Sequence, residues 1–419
     1  MKFTYIDLFA GAGGLSEGFQ KAGFTPVAHV EMDKAACFSL RTRAVYHYLT
    51  EHNRKKEYTA YLEGKISRQE LYSSGIPEEI HDTVINLAIG AENNEKIHRN
   101  IKRLLGDRQV DLIIGGPPCQ AYSLVGRARS KNNMEGDPRN YLYTEYAKYL
   151  EKYQPSLFVF ENVIGLKSAK GGSYLLDMEK LFLKKGYNIK LFTVEARKFG
   201  VLQNRKRIVI IGWREGRDIT LPDLQKVDVA SSYRVREVLA DLPFLYAGEG
   251  EDKNQAYTNE IPGKYLKDNH LRNGQKVLTQ HVARPHTGQD LEIYRIAVKK
   301  WNRKQERLDY NDLPDHLKTH SNRHSFFDRF KVVAQDLPYS QTVVAHISKD
   351  GHYYIHPDIE QNRSLTVREA ARLQSFPDDY YFEGVKEGAN RTAAFKQIGN
   401  AVPPLMAERI ALLLKPLLK

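Results

Sequence analysis

Of the 419 residues only two are cysteine, and one of them, Cys119, stands in the segment GGPPCQAYS (115–123). A thiolate that acts as a nucleophile needs partial exposure and a fixed direction, and Pro117 and Pro118 stiffen the backbone directly ahead of the sulfur. Cys37, in the apolar run AACF, reads as a small buried hydrophobe. Neither cysteine belongs to a C-x-x-C pair, so neither a disulfide framework nor a thiolate zinc site is indicated. Glu161, in FENV, ends an apolar run, where a carboxyl can cap a helix or donate a proton to a bound group. QNRKR (203–207) offers a fork of arginines, Arg205 and Arg207, suited to bidentate contact with a base or a phosphate. FAGAGG (9–14) puts small residues where a backbone turns tightly and approaches a ligand, although packing alone also produces such clusters. Its spacing is not that of the dinucleotide fingerprint, which points to an adenosine-type ligand without a pyrophosphate, with Glu31 able to accept the ribose hydroxyls.

These groups need a scaffold that brings them together. Residues 3–9 read as a buried strand, followed by a short helix from about Leu15 to Gly23 and a second strand ending at Glu31. VDLIIGG (110–116) and PSLFVFENV (155–163) read as further buried strands, each after a helical stretch, and this alternation predicts a parallel, doubly wound α/β sheet. NIKLFTVEA and RIVIIGWR predict a late antiparallel pair. Ligands gather beyond the carboxyl ends of strands in such sheets, so FAGAGG, Glu31, Cys119 and Glu161 should share one cleft.

From about residue 216 to 360 the βα rhythm is lost and Pro, Gly, Asn, His and charge dominate, which reads as a smaller, irregular α+β domain. The expected division is a catalytic part, 1–215 plus 388–419, and a small domain, 216–387, whose variable part is about 216–330. Residues 46–84, rich in Tyr, Lys and Glu, read as an insertion and a solvated helical decoration. TVRE (366–369) is a capping box. The formal charge of +12 gathers in patches such as GRARSK (126–131), QNRKR and KKWNRKQER (299–307), which together favour a polyanionic partner such as nucleic acid. No apolar run reaches membrane-span length and the first residues lack a signal-peptide pattern, so an intracellular, cytoplasmic location without a membrane partner is expected.

In sequence order, DLFAGAGG, Glu31, GPPCQ (116–120), ENV (161–163), QNRKR, RSLTVREAARLQSFP (363–377) and GNAVPP (399–404) resemble the motif series of the DNA (cytosine-5)-methyltransferases of bacterial and phage restriction-modification systems. The resemblance covers the chain outside 46–84 and about 216–330. It implies a Rossmann-like S-adenosylmethionine-dependent methyltransferase sheet with a target-recognition domain. The cofactor would be held by Phe9, Gly11, Gly13, Gly14, Leu15, Glu31 and Met32, with Pro118 and Leu142 nearby and Asn400 and Val402 closing the pocket. Cys119 would add to C6 of a flipped cytosine while Glu161 donates toward N3, so that C5 takes the methyl group. Arg205 would steady the base, and Arg207 would support the fold or the DNA backbone. No step needs a metal.

The implied partner is double-stranded DNA, and the resemblance admits a restriction endonuclease acting on the same site. Gln120, Ser123, Arg127, Arg129 and Lys131 fall in a polar, basic stretch that reads as a lid over DNA or as a surface loop. Arg284 and Arg323 are candidates for reading base edges. Gly90-Ala91-Glu92 departs from the family's Gly-Asp pair at the adenine, which shifts that contact toward Glu92 or Asn93. His316, His320 and His324, at i, i+4 and i+8, would make a metal face on a helix, but the Ser-Asn pair between them disfavours one and base or phosphate contact is the better reading. A tRNA-directed enzyme of the same chemistry and a non-enzymatic DNA-binding regulator are the competing readings. The long variable region argues against the first, and intact Cys119, Glu161 and Arg205 argue against the second.

Overall fold

A computed structural model of the chain describes residues 2–118, 141–229 and 232–419. Cys119, Gln120, Ser123, Arg127, Arg129 and Lys131 lie outside the described residues.

Strand residues alternate between two buried clusters, and that alternation sets the architecture. Ile6, Leu8, Ile113, Phe158, Phe160, Ile208 and Ile210 enter one cluster. Tyr5, Leu112, Ile114, Leu157, Val159, Val209 and Ile211 enter the other. A sheet buried on both faces must carry helices on both, as parallel sheets do. The strands are β1 (Thr4–Leu8), β2 (Thr25–Glu31), β3 (Val84–Asn86), β4 (Leu112–Gly115), β5 (Leu157–Asn162), β6 (Tyr187–Glu195) and β7 (Lys206–Arg214), in the order β3-β2-β1-β4-β5-β7-β6. β1 to β5 run parallel, and β7 pairs antiparallel with both β5 and β6. This is the doubly wound sheet with a late antiparallel pair that the sequence predicts. The three-residue β3 is an addition to it.

Helix α1 (Gly14–Lys21) follows the glycine turn and packs on the terminal helix Pro404–Leu414. Gly18 allows the close approach, because a Cβ there would meet the Glu408 nitrogen at 2.4 Å. The capping box at Thr366 forms as expected, its hydroxyl accepting from the Glu369 amide and the Glu369 carboxylate accepting from the Thr366 amide. Residues 216–365 carry short elements, among them the two-residue strands Gly250–Glu251 and His281–Val282 and the longer helix Gly288–Lys304. That helix has its own apolar cluster with Leu308, Leu317, Phe330 and Ile355. A further cluster joins Ala12 and Leu202 to Val235, Leu271, Val343, Leu373, Phe376 and Ile398.

The stretch 46–84 is helical but is not a solvated decoration. After α2 (Lys34–Glu51) come α3 (Lys55–Leu62), α4 (Arg68–Tyr72) and α5 (Glu78–Asp82). Tyr58, Tyr61, Leu62 and Leu71 are buried in a cluster with Val45, Leu49, Val277 and Tyr381. Tyrosine explains the difference: its ring contributes apolar area while its hydroxyl finds a distant acceptor, so a polar-looking sequence can still be core.

Two buried histidines make stability depend on pH. Burial depresses His281 to about 4 and His356 to about 3, beside the Arg363–Glu369 ion pair. Both are neutral when folded, whereas an unfolded histidine titrates near ~6.5. Below that value the unfolded chain binds more protons, so stability falls with pH until the folded values are reached. Each histidine should cost about 2 kcal/mol between pH 7 and pH 5. Thermal melts are expected to show a lower Tm at pH 5, and the loss should shrink in His281→Gln.

Candidate active site

The turn after β1 is pinned from several sides. The Ala10 amide donates to the Val30 carbonyl at 3.1 Å, and the Gly13 amide closes the turn on the Ala10 carbonyl at 2.9 Å. Phe9, Gly11 and Gly13 have φ of 57°, 55° and 70°, a region that favours glycine. A Cβ on Gly11 would meet nothing within 4 Å, which leaves an open face on the turn; on Gly14 it would meet the Val402 carbonyl at 2.2 Å. Val402 thus seats the 399–404 turn against the glycine loop, while Leu15 is buried in the core and Asn400 is exposed beside it.

Glu31 closes the same cradle. One carboxylate oxygen accepts from the Gly11 amide at 2.8 Å, and the other from the Met32 and Asp33 amides at 2.8 and 2.7 Å. Burial pushes its pKa up, and these amides oppose the shift. Met32 is 67% exposed beside it. Asn86, at the end of β3, donates to the Glu31 and Met32 carbonyls, a contact absent from the sequence reading because so short a strand gives no periodic signal. The Cys37 thiol bonds the Glu31 carbonyl, and burial raises its pKa to about 12, which suits its reading as an inert core residue. Asn93 bonds the Ala88 carbonyl in its own loop, while Glu92 is exposed at the turn before α6 (Asn94–Leu105). Leu142 begins the helix Leu142–Tyr153 and is half-buried.

The proline segment meets Glu161 at the ends of β4 and β5. A Cβ on Gly116 would lie 2.8 Å from the Glu161 carbonyl oxygen and 2.9 Å from Oε2, so only glycine lets the carboxylate fold over this point. Asn162 donates to the Pro117 carbonyl at 3.3 Å, which ties the backbone leading to Cys119 to β5. Pro117 is buried and Pro118 exposed.

The two arginines differ from the expected division of roles. Glu161 stands opposite Val209 in the antiparallel register, which puts Arg207 on the same face and within reach. Arg207 Nε lies 2.8 Å from Glu161 Oε1, with both side chains 14% exposed. Arg205 precedes β7 and is wholly buried, donating to the Val343 carbonyl at 2.8 Å and the Gly399 carbonyl at 3.2 Å. Arg207 is therefore the arginine at the carboxylate, and Arg205 is a brace beneath it.

Residues 340–345, which carry no motif, complete this side. Ser340 exchanges backbone bonds with Leu202 and Asn204, and the Val343 amide donates to the Gln203 side chain at 3.1 Å. Gln203 also donates to Gln374, which donates to the Ala401 carbonyl, so four separated segments interlock behind the carboxylate. Arg284 donates to the Ile347, Ser348 and Lys349 carbonyls and is half-buried. Arg323 is exposed, with one bond to the Lys318 carbonyl. The three spaced histidines do not share a helix: Asp315–Leu317 is a single 3₁₀ turn and the next helix is Arg323–Phe326. His316 contacts Glu292 and His320 stacks on Phe326, so no common metal face forms among them.

A doubly wound sheet with an antiparallel last pair, a glycine turn after β1 and an acid after β2 has the Rossmann-like methyltransferase architecture. The chain belongs to the C-5 cytosine-specific DNA methylase family, whose sequence profile matches residues 3–77 and 83–415, and is a DNA (cytosine-5)-methyltransferase of the restriction-modification type. It is 40% identical to the type II methyltransferase M.Bpa9945I of Bacillus paralicheniformis, with 97% of each chain covered. It is 32% identical to the type II methyltransferase M1.HphI of Haemophilus parahaemolyticus, covering 98% of this chain and 86% of that one. In fold it resembles the S. pombe Dnmt2 methyltransferase, with a TM-score of 0.53 at 16% identity over 99% of both chains. No helix among the described residues is long and apolar enough to cross a membrane.

Proposed function

We propose that this enzyme binds S-adenosylmethionine on the Phe9–Gly14 turn and Glu31, takes a target cytosine out of duplex DNA, and methylates it through a covalent bond between Cys119 and C6. The observation that carries the reading is the Glu161–Arg207 pair folded over Gly116, directly before the proline-framed thiol. A cytosine inside a duplex is out of reach of such a thiol, so the base must be flipped, at a cost of a few kcal/mol.

The open face at Gly11 and the half-buried Glu31 carboxylate fit an adenosine-type ligand, with lone pairs of Glu31 left to accept ribose hydroxyls. When bound, S-adenosylmethionine supplies an electrophilic methyl group on a sulfonium. Cytosine C5 is too weak a nucleophile to take it unaided. The Cys119 thiolate adds to C6, Glu161 donates a proton toward N3, and the resulting enamine carries the nucleophilic C5. Arg207 holds Oε1 of Glu161, leaving Oε2 on the Gly116 side for the base. After transfer, the C5 proton is lost to solvent water as the C6–S bond breaks and the thiolate leaves, and the proton on N3 returns to Glu161.

Residues 1–215 and 388–419 would carry this chemistry, and 216–387 would read the DNA, with the choice of sequence in about 216–330. The short, irregular elements there support this division, and Arg284 and Arg323 are the candidates for groove contacts. A restriction endonuclease acting on the same site is the protein partner the reading adds.

The cofactor assignment is tested on Glu31. Glu31→Ala should weaken S-adenosylmethionine binding by roughly 1.5–3 kcal/mol, because the ribose hydroxyls lose a charged acceptor. Calorimetry giving unchanged affinity would contradict it.

A further inference from the structure

Residues 378–384 are buried, yet after a turn at Asp378 and Asp379 they run on without joining any sheet. The Asp378 and Tyr380 amides bond the Leu271 and Pro377 carbonyls, and other backbone groups find side chains. The Asp379 carbonyl accepts from Tyr58 at 2.7 Å, the Tyr380 carbonyl from Arg368 at 3.0 Å, and the Gly384 carbonyl from Arg68 at 2.8 Å. Gln280 bonds both the amide and the carbonyl of Phe382, and Ser39 and Gln397 do the same for Glu383.

The side chains of this strap reach three bodies. Asp379 pairs with Arg43 at 2.8 Å and Tyr46 at 2.6 Å, and Glu383 accepts from Tyr61 at 2.6 Å and Arg68 at 3.2 Å, so α2, α3 and α4 grip one side. Tyr381 bonds Asp252, and Lys253 lies 3.5 Å from the Tyr61 ring centroid, so the base of the variable region is held on the same joint. Between them Tyr380 points inward, and its hydroxyl donates to the Ala12 carbonyl in the centre of the glycine turn. The same oxygen would lie 3.6 Å from a Cβ on Gly13.

We propose that Tyr380 is a positioning residue for the cofactor turn, and that the helices inserted at 55–72 set its place through the strap. This rests on the reading of the Phe9–Gly14 turn as the S-adenosylmethionine site. The strap is the side chain-built link between that turn, the insertion and the recognition region. The insertion then has a task in catalysis through the strap.

Tyr380→Phe keeps the ring, packed 4.9 Å from Phe376 and Phe382, and removes only the hydroxyl. Titration calorimetry of the full chain with S-adenosylhomocysteine should show affinity weakened about tenfold, as for one lost buried hydrogen bond. KM for the cofactor should rise while KM for DNA is unchanged, a split that a general loss of stability would not produce. Tyr58→Phe, which loosens the strap from the insertion, should shift the same constant in the same direction. If the wild-type chain binds S-adenosylhomocysteine and either variant binds it equally well, the inference is overturned and the cofactor reading stands. If the wild-type chain does not bind it, the cofactor reading falls and the inference with it.

Discussion

Cys119→Ser is expected to abolish methyl transfer to duplex DNA while leaving DNA binding close to that of the parent enzyme. A serine hydroxyl is scarcely ionised at neutral pH and lacks the polarisable sulfur, so it cannot add to C6 at a useful rate, although it occupies nearly the same volume. The residues just before Cys119 are held in place. Gly116 lies under Glu161, and the Pro117 carbonyl is held by Asn162. Transfer of labelled methyl groups, measured beside a gel-shift titration, checks both halves. More than a trace of transfer by the serine variant would contradict a covalent role for this residue.

Glu161→Gln is the second large effect. The amide keeps the shape of the carboxyl, and its oxygen can still accept from Arg207, but it has no acidic proton to give. General acid–base steps contribute roughly 10²–10⁴ in rate, and the loss should fall in that range. Because the carboxyl acts after both substrates are bound, it should reduce kcat and leave cofactor affinity unchanged. Single-turnover rates with saturating DNA measure this directly, and a rate within a factor of about three of the parent enzyme would exclude the proton-donor role. Arg207→Met should share the direction, since it frees the carboxyl that Arg207 holds at 2.8 Å.

Much of this scaffold is legible in the chain itself, because strands buried on both faces must be runs such as LIIG and LFVFEN, and a capping box is a local signal. What escaped reading depends on partners distant in sequence. Tyr58 and Tyr61 look like surface residues among lysines and glutamates, and become core only through Asp379 and Glu383, more than 300 positions away. The roles of Arg205 and Arg207 turn on where β7 begins: at Lys206, so that Arg207 falls on the face of Glu161 and Arg205 falls before the strand. The histidine series offered suitable chemistry, but it does not lie on one helix: His316 contacts Glu292 and His320 stacks on Phe326. Residues 340–345 brace the site through backbone bonds, which no residue type announces.

The covalent bond proposed between Cys119 and the target base can be trapped. Duplex DNA carrying 5-fluorocytosine tests it most directly, since fluorine at C5 cannot leave as a proton does and the adduct cannot resolve. With S-adenosylmethionine present, a denaturation-resistant protein–DNA complex whose cross-linked peptide contains Cys119 is expected. An enzyme that methylates ordinary cytosine yet forms no such complex, or forms it through another residue, would contradict the account.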